Sequence, residues 1–150
     1  MAQSFKDLRL LSPEDCSFHH SNAFPEGPWS AHTFENLFSL KTVFGECLFL
    51  DSEFQGLYCF QAESETCDVL TFFISKPMQN KGMGSVLLKQ MVAKARSLGI
   101  FKIFLEVNES NIPAQKLYQK EGFLPIGIRK NYYSQKGNIS KNALTFCLLI

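Results

Sequence analysis

The chain has 150 residues and is 45% hydrophobic, which suits a single domain with a packed core and excludes intrinsic disorder. Its formal net charge of +1 excludes the strongly basic class of nucleic-acid-binding proteins. The N-terminus lacks the apolar run of a signal peptide, and no stretch approaches the roughly 20 apolar residues of a membrane helix, so we expect a soluble, cytoplasmic protein without membrane contact.

The first part of the chain predicts one strand and two helices. Residues 4–11 are typical of a strand. The run 12–15, Ser-Pro-Glu-Asp, favours a helix start, because serine caps well, proline suits the first helical position and acids suit the first turn. We expect that helix to end near Asn22. Ser30 begins a short second helix whose apolar face carries Phe34, Leu37 and Phe38.

The middle of the chain predicts three strands, a long helix and a fourth strand. The three strand-like runs lie at about 43–51, 55–62 and 66–75, separated by polar turns. The clearest helix spans about 83–98, where apolar residues recur at a spacing of 3.6. An apolar strand at 100–107 follows. Strand, helix and strand over 66–107 predict a right-handed parallel crossover.

The last part predicts a helix and two strands. Asn111 caps a helix at about 112–121, and strands at about 123–130 and 143–149 flank a polar loop at 134–142. The order is therefore β-α-α-β-β-β-α-β-α-β-β. We expect an α/β fold in which a mixed central sheet of about seven strands is flanked by about four helices. No repeat or linker divides it, so residues 1–150 are expected to form one domain.

The cysteines and histidines suggest no metal site. The five cysteines are scattered without a CxxC pair, so we expect reduced, buried thiols rather than a disulfide framework. The histidines are expected to be helix-surface or capping residues rather than catalysts. These residues are Cys16, Cys47, Cys59, Cys67, Cys147, His19, His20 and His32.

A glycine-rich turn at 79–84, Gln-Asn-Lys-Gly-Met-Gly, joins the end of a strand to the long helix. Gly82 and Gly84 let a bound group approach the backbone, and the free N–H groups of the helix start form an anion site suited to a pyrophosphate. The alternative is a tight turn without a ligand. The run is not a P-loop, because no Gly-Lys-Ser/Thr follows, and Leu87 stands where a dinucleotide fingerprint needs its third glycine.

The spacing Gln79-x-x-Gly82-x-Gly84 resembles the signature of the GNAT superfamily of N-acetyltransferases, and the element order is similar to that fold. Further runs resemble the RimI-type branch, which contains the ribosomal-protein-alanine N-acetyltransferases. These runs are 23–25, 28–30 with Phe34, 105–107, 110–111, Ala114, 117–118, 122–123 and 129–133. The resemblance covers most of the chain.

The resemblance implies acetyl-CoA as co-substrate, with no metal. Its pyrophosphate would lie over the turn at 80–85, and its pantetheine arm would pair with the strand backbone at 72–74. Asn111 resembles the asparagine that contacts this arm; helix capping is the alternative role, and one residue can serve both. The implied cofactor-binding residues are Phe72, Phe73, Ile74, Gln79, Asn80, Lys81, Gly82, Met83, Gly84, Ser85 and Asn111.

Two residues are candidates for the chemistry of acetyl transfer, which needs a neutral amine and a protonated leaving thiolate. Glu106 interrupts an apolar strand near its carboxyl end, as a general base or as a carboxylate that reaches solvent. Tyr118 lies on the following helix, as a general acid or as a packed aromatic residue. The resemblance favours Glu106 as base and Tyr118 as acid. Because no cysteine lies in a motif that suggests an acyl-enzyme, we expect direct transfer in a ternary complex.

The residues that would bind the acceptor amine are separate from those assigned to the cofactor and to the chemistry. Trp29, Tyr132 and Tyr133 are candidates for the wall of the acceptor site, with packing as the alternative. The RimI-type branch commonly carries acids before the last strand, where this chain has Ser-Lys-Asn-Ala at 140–143, and Glu63, Glu65 and Asp68 are the alternative source of negative charge.

Three functional hypotheses follow. The first is acetylation of a protein N-terminus, with the N-terminal alanine of a small-subunit ribosomal protein as the leading acceptor. The second is acetylation of a small amine or a lysine side chain. The third is a CoA-binding module without turnover.

Overall fold

The computed structural model describes residues 2–134 and 140–150. Its strands and helices follow the predicted order. They are β1 (Gln3–Asp7), α1 (Pro13–Ala23), α2 (Ala31–Phe38), β2 (Val43–Leu50), β3 (Glu53–Glu63), β4 (Thr66–Ile74), α3 (Met83–Ser97), β5 (Lys102–Asn108), α4 (Ile112–Lys120), β6 (Leu124–Ser134) and β7 (Ser140–Leu149). None of the helices in these ranges has the length and apolar character needed to cross a membrane.

The strands form one mixed sheet in the order β1-β2-β3-β4-β5-β7-β6. All neighbouring strands are antiparallel except β4 and β5, which are parallel and are joined through α3. This confirms the predicted mixed sheet and the parallel crossover over 66–107. The crossover also sets the position of α3, because a short connection joins the carboxyl end of β4 to the first turn of this helix.

The sheet separates two hydrophobic cores, because successive side chains of a strand point to opposite faces. In β3, Tyr58 and Phe60 pack into the core that is covered by α3 and α4. Leu57 and Cys59, on the other face, pack into the core that is covered by α1 and α2. A side chain on β4 or β5 therefore faces one helix pair or the other, and neighbouring positions along the strand face opposite pairs.

The helices begin where their capping residues predict. Ser12 Oγ accepts a hydrogen bond from the N–H of Asp15 at 3.0 Å, and Ser30 Oγ accepts one from the N–H of Thr33 at 3.2 Å. Each cap satisfies a backbone donor that the helix itself leaves unpaired. These local signals explain why the helix starts could be read directly from the sequence.

The first strand is shorter than predicted: it ends at Asp7 rather than at residue 11. The Asp7 carboxylate accepts a hydrogen bond from the N–H of Arg9 at 2.8 Å and turns the chain into a short 3-10 helix. The Arg9 guanidinium then donates to the carbonyls of Phe38, Leu40 and Val43. The alternating pattern at 8–11 thus belongs to a clamp on the end of α2, not to the sheet.

The predicted polar loop at 134–142 is too long, because β6 extends to Ser134 and β7 begins at Ser140. Residues 135–139 lie outside the described part of the chain. The β6–β7 pairing shifts register between Arg129 and Tyr133, where Asn131 has a φ of 56°. The N–H of Asn131 donates to Oδ1 of Asn142 at 3.0 Å, so the side chain of Asn142 supports this bulge.

Candidate active site

The parallel strands β4 and β5 separate soon after they meet. They pair only through Thr66–Lys102, Cys67–Ile103 and Asp68–Phe104. From residue 69 to residue 74, the β5-facing edge of β4 has no ladder partner within the described residues, while the other edge stays paired with β3. The separation therefore leaves backbone N–H and C=O groups of β4 available to a ligand.

A cleft of about 1680 Å³ occupies the opening between β4 and β5. Its walls are β4, β5, the start of α3, the inner side of α4 and the segment between α1 and α2. The cleft receives residues from both faces of the sheet, because the two strands no longer close it.

The first turn of α3 presents backbone donors to this cleft. Gly82 precedes the helix with a φ of 82°, and no described side chain caps the turn. A Cβ atom on Gly82 would meet nothing within 4 Å, so the space above the turn is open. N–H groups without an intrahelical partner and the positive end of the helix dipole favour an anion at this position, as predicted, but do not by themselves establish a bound group.

Gly84 serves another purpose. A Cβ atom at this position would lie 2.9 Å from Cδ2 of Leu117, so the absence of a side chain lets α3 approach α4 closely. The second glycine of the motif therefore lies at a close helix contact. Of the two glycines in the motif, only Gly82 has the left-handed backbone conformation that favours glycine.

Nine of the eleven predicted cofactor-binding residues line the cleft. They are Phe72, Phe73, Ile74, Gln79, Asn80, Gly82, Gly84, Ser85 and Asn111. The other two do not line it: Lys81 is exposed, and Met83 packs against the core under α3. Gln79 also has a structural role, since its side-chain amide donates to the carbonyl of Ile74 at 3.0 Å.

Asn111 caps α4, as one of its two predicted roles requires. Its Oδ1 accepts a hydrogen bond from the N–H of Ala114 at 3.2 Å, while the side chain remains exposed at the cleft. The amide nitrogen is not used by this cap. The same side chain therefore retains a donor for a ligand.

Glu106 lies at the cleft on the face of β5 opposite the buried Leu105 and Val107. Its Oε1 forms an ion pair with a guanidinium nitrogen of Arg129 at 3.1 Å. Its Oε2 is shielded from solvent and has no hydrogen-bond partner among the described residues. A buried carboxylate oxygen without a partner is unusual in a folded protein.

Tyr118 reaches the cleft from α4 and is 6% exposed. Its ring meets Phe72 edge-on, with centroids 6.0 Å apart, and also contacts Phe123 and Phe146. The packing predicted as the alternative role is thus present. It holds the ring beside β4, which is where the unpaired backbone edge begins to face the cleft.

An aromatic group from α1 and the following segment closes the other end of the cleft. His20 is buried and stacks on Trp29, with ring centroids 4.7 Å apart, and it also contacts Phe24 and Phe73. Its Nδ1 accepts a hydrogen bond from the N–H of Trp29 at 3.0 Å. The expectation of a surface or capping histidine was wrong for His20, because these rings bury its side chain. The same burial lowers the pKa of His20 to about 4.

Three acids were predicted as an alternative source of negative charge near the acceptor. Of these, Asp68 lines the cleft, whereas Glu63 and Glu65 do not. Lys116 and Lys120 line it from α4. The side chains of Tyr132 and Tyr133, the predicted acceptor wall, lie outside the described part of the structure, so their role stays a prediction.

The cysteines are all free thiols. Cys16, Cys47, Cys59 and Cys67 are buried, as predicted, and burial raises the pKa of each thiol. Cys147 is only partly buried. In the described ranges, no group of three histidine, cysteine, aspartate or glutamate side chains is arranged to hold a metal ion.

Sequence reasoning placed none of His20, Phe24 and Arg129 at the site. Phe24 and Arg129 fall within runs that carry the family resemblance, but nothing in their local sequence marks them as cleft residues. Each reaches the cleft through contacts with a distant segment, such as Arg129 with Glu106. A pattern confined to a few neighbouring residues does not report such contacts.

Comparison with known proteins agrees with this geometry. Residues 13–123 match the profile of the Acetyltransferase (GNAT) family. The ribosomal protein bS18-alanine N-acetyltransferase of Haemophilus ducreyi is 30% identical over 123 residues, which are 82% of this chain and 84% of that protein.

Two solved structures are similar in fold. The ribosomal-protein-S18-alanine N-acetyltransferase from Escherichia coli superposes with a TM-score of 0.90 at 22% identity, covering 99% of this chain and 94% of that one. A GNAT family acetyltransferase from Elizabethkingia anophelis with acetyl-CoA bound superposes with a TM-score of 0.78 at 20% identity, covering 99% and 98% of the two chains.

Proposed function

This chain belongs to the GNAT family of acetyltransferases and is an acyltransferase, and we propose that it transfers the acetyl group of acetyl-CoA to the N-terminal α-amine of a protein. The observation that carries the proposal is the separation of β4 from β5, with Glu106 and Tyr118 both lining the cleft between them. The leading acceptor is a small-subunit ribosomal protein that begins with alanine. The name of the Haemophilus ducreyi relative supports this acceptor.

The cleft fits acetyl-CoA at two places. The uncapped first turn of α3, with open space above Gly82, suits the pyrophosphate. The unpaired edge of β4 at 72–74 suits the amides of the pantetheine arm, which add to it like a strand. The side-chain amide nitrogen of Asn111, which the helix cap leaves unused, would donate a hydrogen bond to the same arm. When bound, acetyl-CoA supplies an acetyl group that is activated as a thioester.

Glu106 acts as the general base. Its Oε2 accepts a proton from the acceptor ammonium, directly or through one water molecule, and so frees the nitrogen lone pair. An α-amine has an unperturbed pKa of about 8, against about 10.4 for a lysine side chain. Deprotonation at neutral pH is therefore less costly for a protein N-terminus than for a lysine.

Tyr118 acts as the general acid. A phenol with a pKa near 10 carries its proton at neutral pH and donates it to the departing thiolate sulfur. The ring contacts with Phe72 and Phe146 support this role because they fix the position of the ring. Transfer is direct, because no cysteine lines the cleft among the described residues.

The acceptor is tested with matched peptides. We expect faster acetylation of a basic peptide that begins with alanine than of the same peptide with a blocked N-terminus and a free lysine. Equal rates would favour acetylation of lysine or small amines. Thermal stabilisation by acetyl-CoA without turnover on any amine would favour a binding module.

The cellular substrate follows from mass spectrometry of protein N-termini in cells with and without this protein. We expect an alanine-starting ribosomal protein to lose its acetyl group when the protein is absent. A cytoplasmic location is part of this proposal, because ribosomal proteins are synthesised there. Unchanged N-termini would remove the ribosomal acceptor but not the acetyltransferase activity.

A further inference from the structure

The two oxygens of the Glu106 carboxylate have different environments. Oε1 is 3.1 Å from a guanidinium nitrogen of Arg129, while Oε2 is shielded from solvent and has no partner among the described residues. The Glu106 side chain is 28% exposed and the Arg129 side chain 57% exposed, so the ion pair is partly open to solvent. The proposed reaction uses Oε2 and assigns nothing to Arg129.

We propose that Arg129 is a positioning residue for the base: it holds Oε1 and leaves Oε2 as the oxygen that receives the acceptor amine. This inference rests on the proposed function, since it concerns the same site. A carboxylate on a flexible side chain would otherwise present either oxygen in several rotamers. A fixed partner on one oxygen selects the orientation in which the other faces the reaction.

Arginine suits this task better than lysine. Its planar guanidinium presents donors in fixed directions and remains charged at all working pH values, so it restrains both the position and the plane of a carboxylate. A lysine ammonium would supply a similar charge with less control of orientation. If Arg129 positions the base, a lysine at this position should support a lower kcat than arginine does, and a neutral residue should support a still lower kcat.

The fold holds the backbone of Arg129 in place from both ends of the contact. β7 lies between β5 and β6, with Thr145 opposite Glu106 and Ala143 opposite Arg129. Asn142, the residue before Ala143, accepts the N–H of Asn131 at 3.0 Å and donates its own N–H to the Glu109 carboxylate at 3.2 Å. These bonds join the bulge after Arg129 to the end of β5, so the distance between the two backbones is set independently of the ion pair.

This role also bears on the missing acids before the last strand. Asn142 occupies that stretch, and its amide oxygen supports the bulge that follows Arg129. Under the proposal, Asn142 therefore affects the base by supporting the backbone that carries Arg129.

The test compares Arg129→Gln with Lys130→Gln. Both substitutions remove one positive charge from β6, but Lys130 forms no ion pair with a described carboxylate. We expect R129Q to lower kcat about tenfold or more, with the KM for acetyl-CoA unchanged within about twofold. K130Q should change neither quantity by more than about twofold. R129K should lower kcat less than R129Q does, but its kcat should stay below that of the unmodified protein.

A second measurement separates positioning from structure. Millimolar guanidinium ions, far below denaturing concentrations, should restore part of the kcat of Arg129→Ala and none of that of Glu106→Gln. Failure of rescue together with a lowered melting temperature would mean that Arg129 acts structurally and would overturn the proposal. Unchanged acetyl-CoA binding by calorimetry confirms that each variant retains a folded cofactor half.

The outcomes also separate this inference from the proposed function. If E106Q loses activity while R129Q keeps its full kcat, only the role of Arg129 fails. If R129Q raises the KM for the acceptor alone, Arg129 binds the acceptor and the positioning role is wrong. If the unmodified protein acetylates no amine, the proposed function and this inference fail together.

Discussion

Gly84 lies so close to Leu117 that a Cβ atom on residue 84 would stand 2.9 Å from Cδ2 of the leucine. Gly82, two residues earlier, has open space at the same point but a φ of 82°. The two glycines of one motif therefore have different surroundings. Gly84 allows two helices to approach, and Gly82 allows the backbone to turn.

The contact between Gly84 and Leu117 predicts that the two positions are coupled. In the unmodified protein, Gly84→Ala gains about 1 kcal/mol of helix propensity, but part of this gain is lost because the end of the Leu117 side chain must move aside. In a Leu117→Ala background that contact is absent, so the same substitution should raise the free energy of unfolding by the full amount of about 1 kcal/mol. Urea denaturation of the four proteins in this double-mutant cycle measures both effects.

Gly82 should matter for acetyl-CoA as well as for stability. Gly82→Ala places a side chain in the left-handed region at a cost of about 1–2 kcal/mol, and relaxation of the turn would redirect the N–H groups of α3. We expect the Kd for acetyl-CoA, measured by calorimetry, to rise at least about tenfold, which corresponds to about 1.4 kcal/mol.

Gly99 provides the matched control for Gly82. It follows α3, has a φ of 79° and also has open space around a Cβ position, but it does not line the cleft. Gly99→Ala should therefore cost similar stability and leave the Kd for acetyl-CoA unchanged. Equal loss of affinity in both variants would show that the effect comes from general destabilisation of α3.

Glu106→Gln should remove the base without removing the cofactor site. The amide keeps the shape of the carboxylate but accepts no proton at neutral pH, so we expect kcat to fall by about 10²–10⁴-fold while acetyl-CoA binds normally. Glu63→Gln, an exposed change outside the cleft, is the control and should leave kcat unchanged. An unaltered kcat in E106Q would exclude Glu106 as the base.

Tyr118→Phe should lower kcat by about 10²-fold, because it deletes only the hydroxyl and leaves the ring contact with Phe72 intact. Tyr58→Phe is the control in the same core. The hydroxyl of Tyr58 donates to Glu46 at 2.5 Å, so its loss should cost about 1–3 kcal/mol of stability without affecting kcat. A loss of stability without loss of rate in Y118F would assign Tyr118 to packing alone.

His20 should make the protein less stable in acid. Burial lowers its pKa from 6.5 to about 4 in the folded state, so between pH 6.5 and pH 4 the unfolded chain binds a proton that the folded chain does not. The free energy of unfolding should therefore fall by about 3 kcal/mol as the pH falls through this window, and His20 should add no further loss below it.

His20→Asn isolates this contribution from the other titrating groups. The asparagine oxygen can accept the N–H of Trp29 in place of Nδ1, but it does not titrate. Urea denaturation at several pH values should show a flatter acid slope for H20N than for the unmodified protein. His32→Asn, at an exposed position, should keep the original slope, and a parallel decline in all three proteins would contradict the assignment.

Much of the fold could be predicted because its signals are local. Ser12, Ser30 and Asn111 each cap a helix through a bond to a residue three positions away. Hydrophobic periodicity predicted α3, and the turn at Gly82 predicted an anion site at its start. The element order and the mixed sheet followed from these features together with the family resemblance.

The errors arose where distant segments compete with local pattern. Residues 8–11 alternate like a strand, yet Arg9 turns away to bind carbonyls at the end of α2. His20 was expected on a surface, yet Trp29 and Phe73 bury it. In each case the partner lies beyond the reach of a period of two or 3.6 residues.

The sequence alone thus determined which segments become helices and strands, and which turn offers backbone donors to an anion. The tertiary structure alone decided that β4 and β5 part after Asp68, and that Arg129 reaches Glu106 across an intervening strand. The physical reason is the range of the interactions. Caps and periodicity act within one or two turns of chain, whereas the cleft depends on pairings between strands that are far apart in sequence.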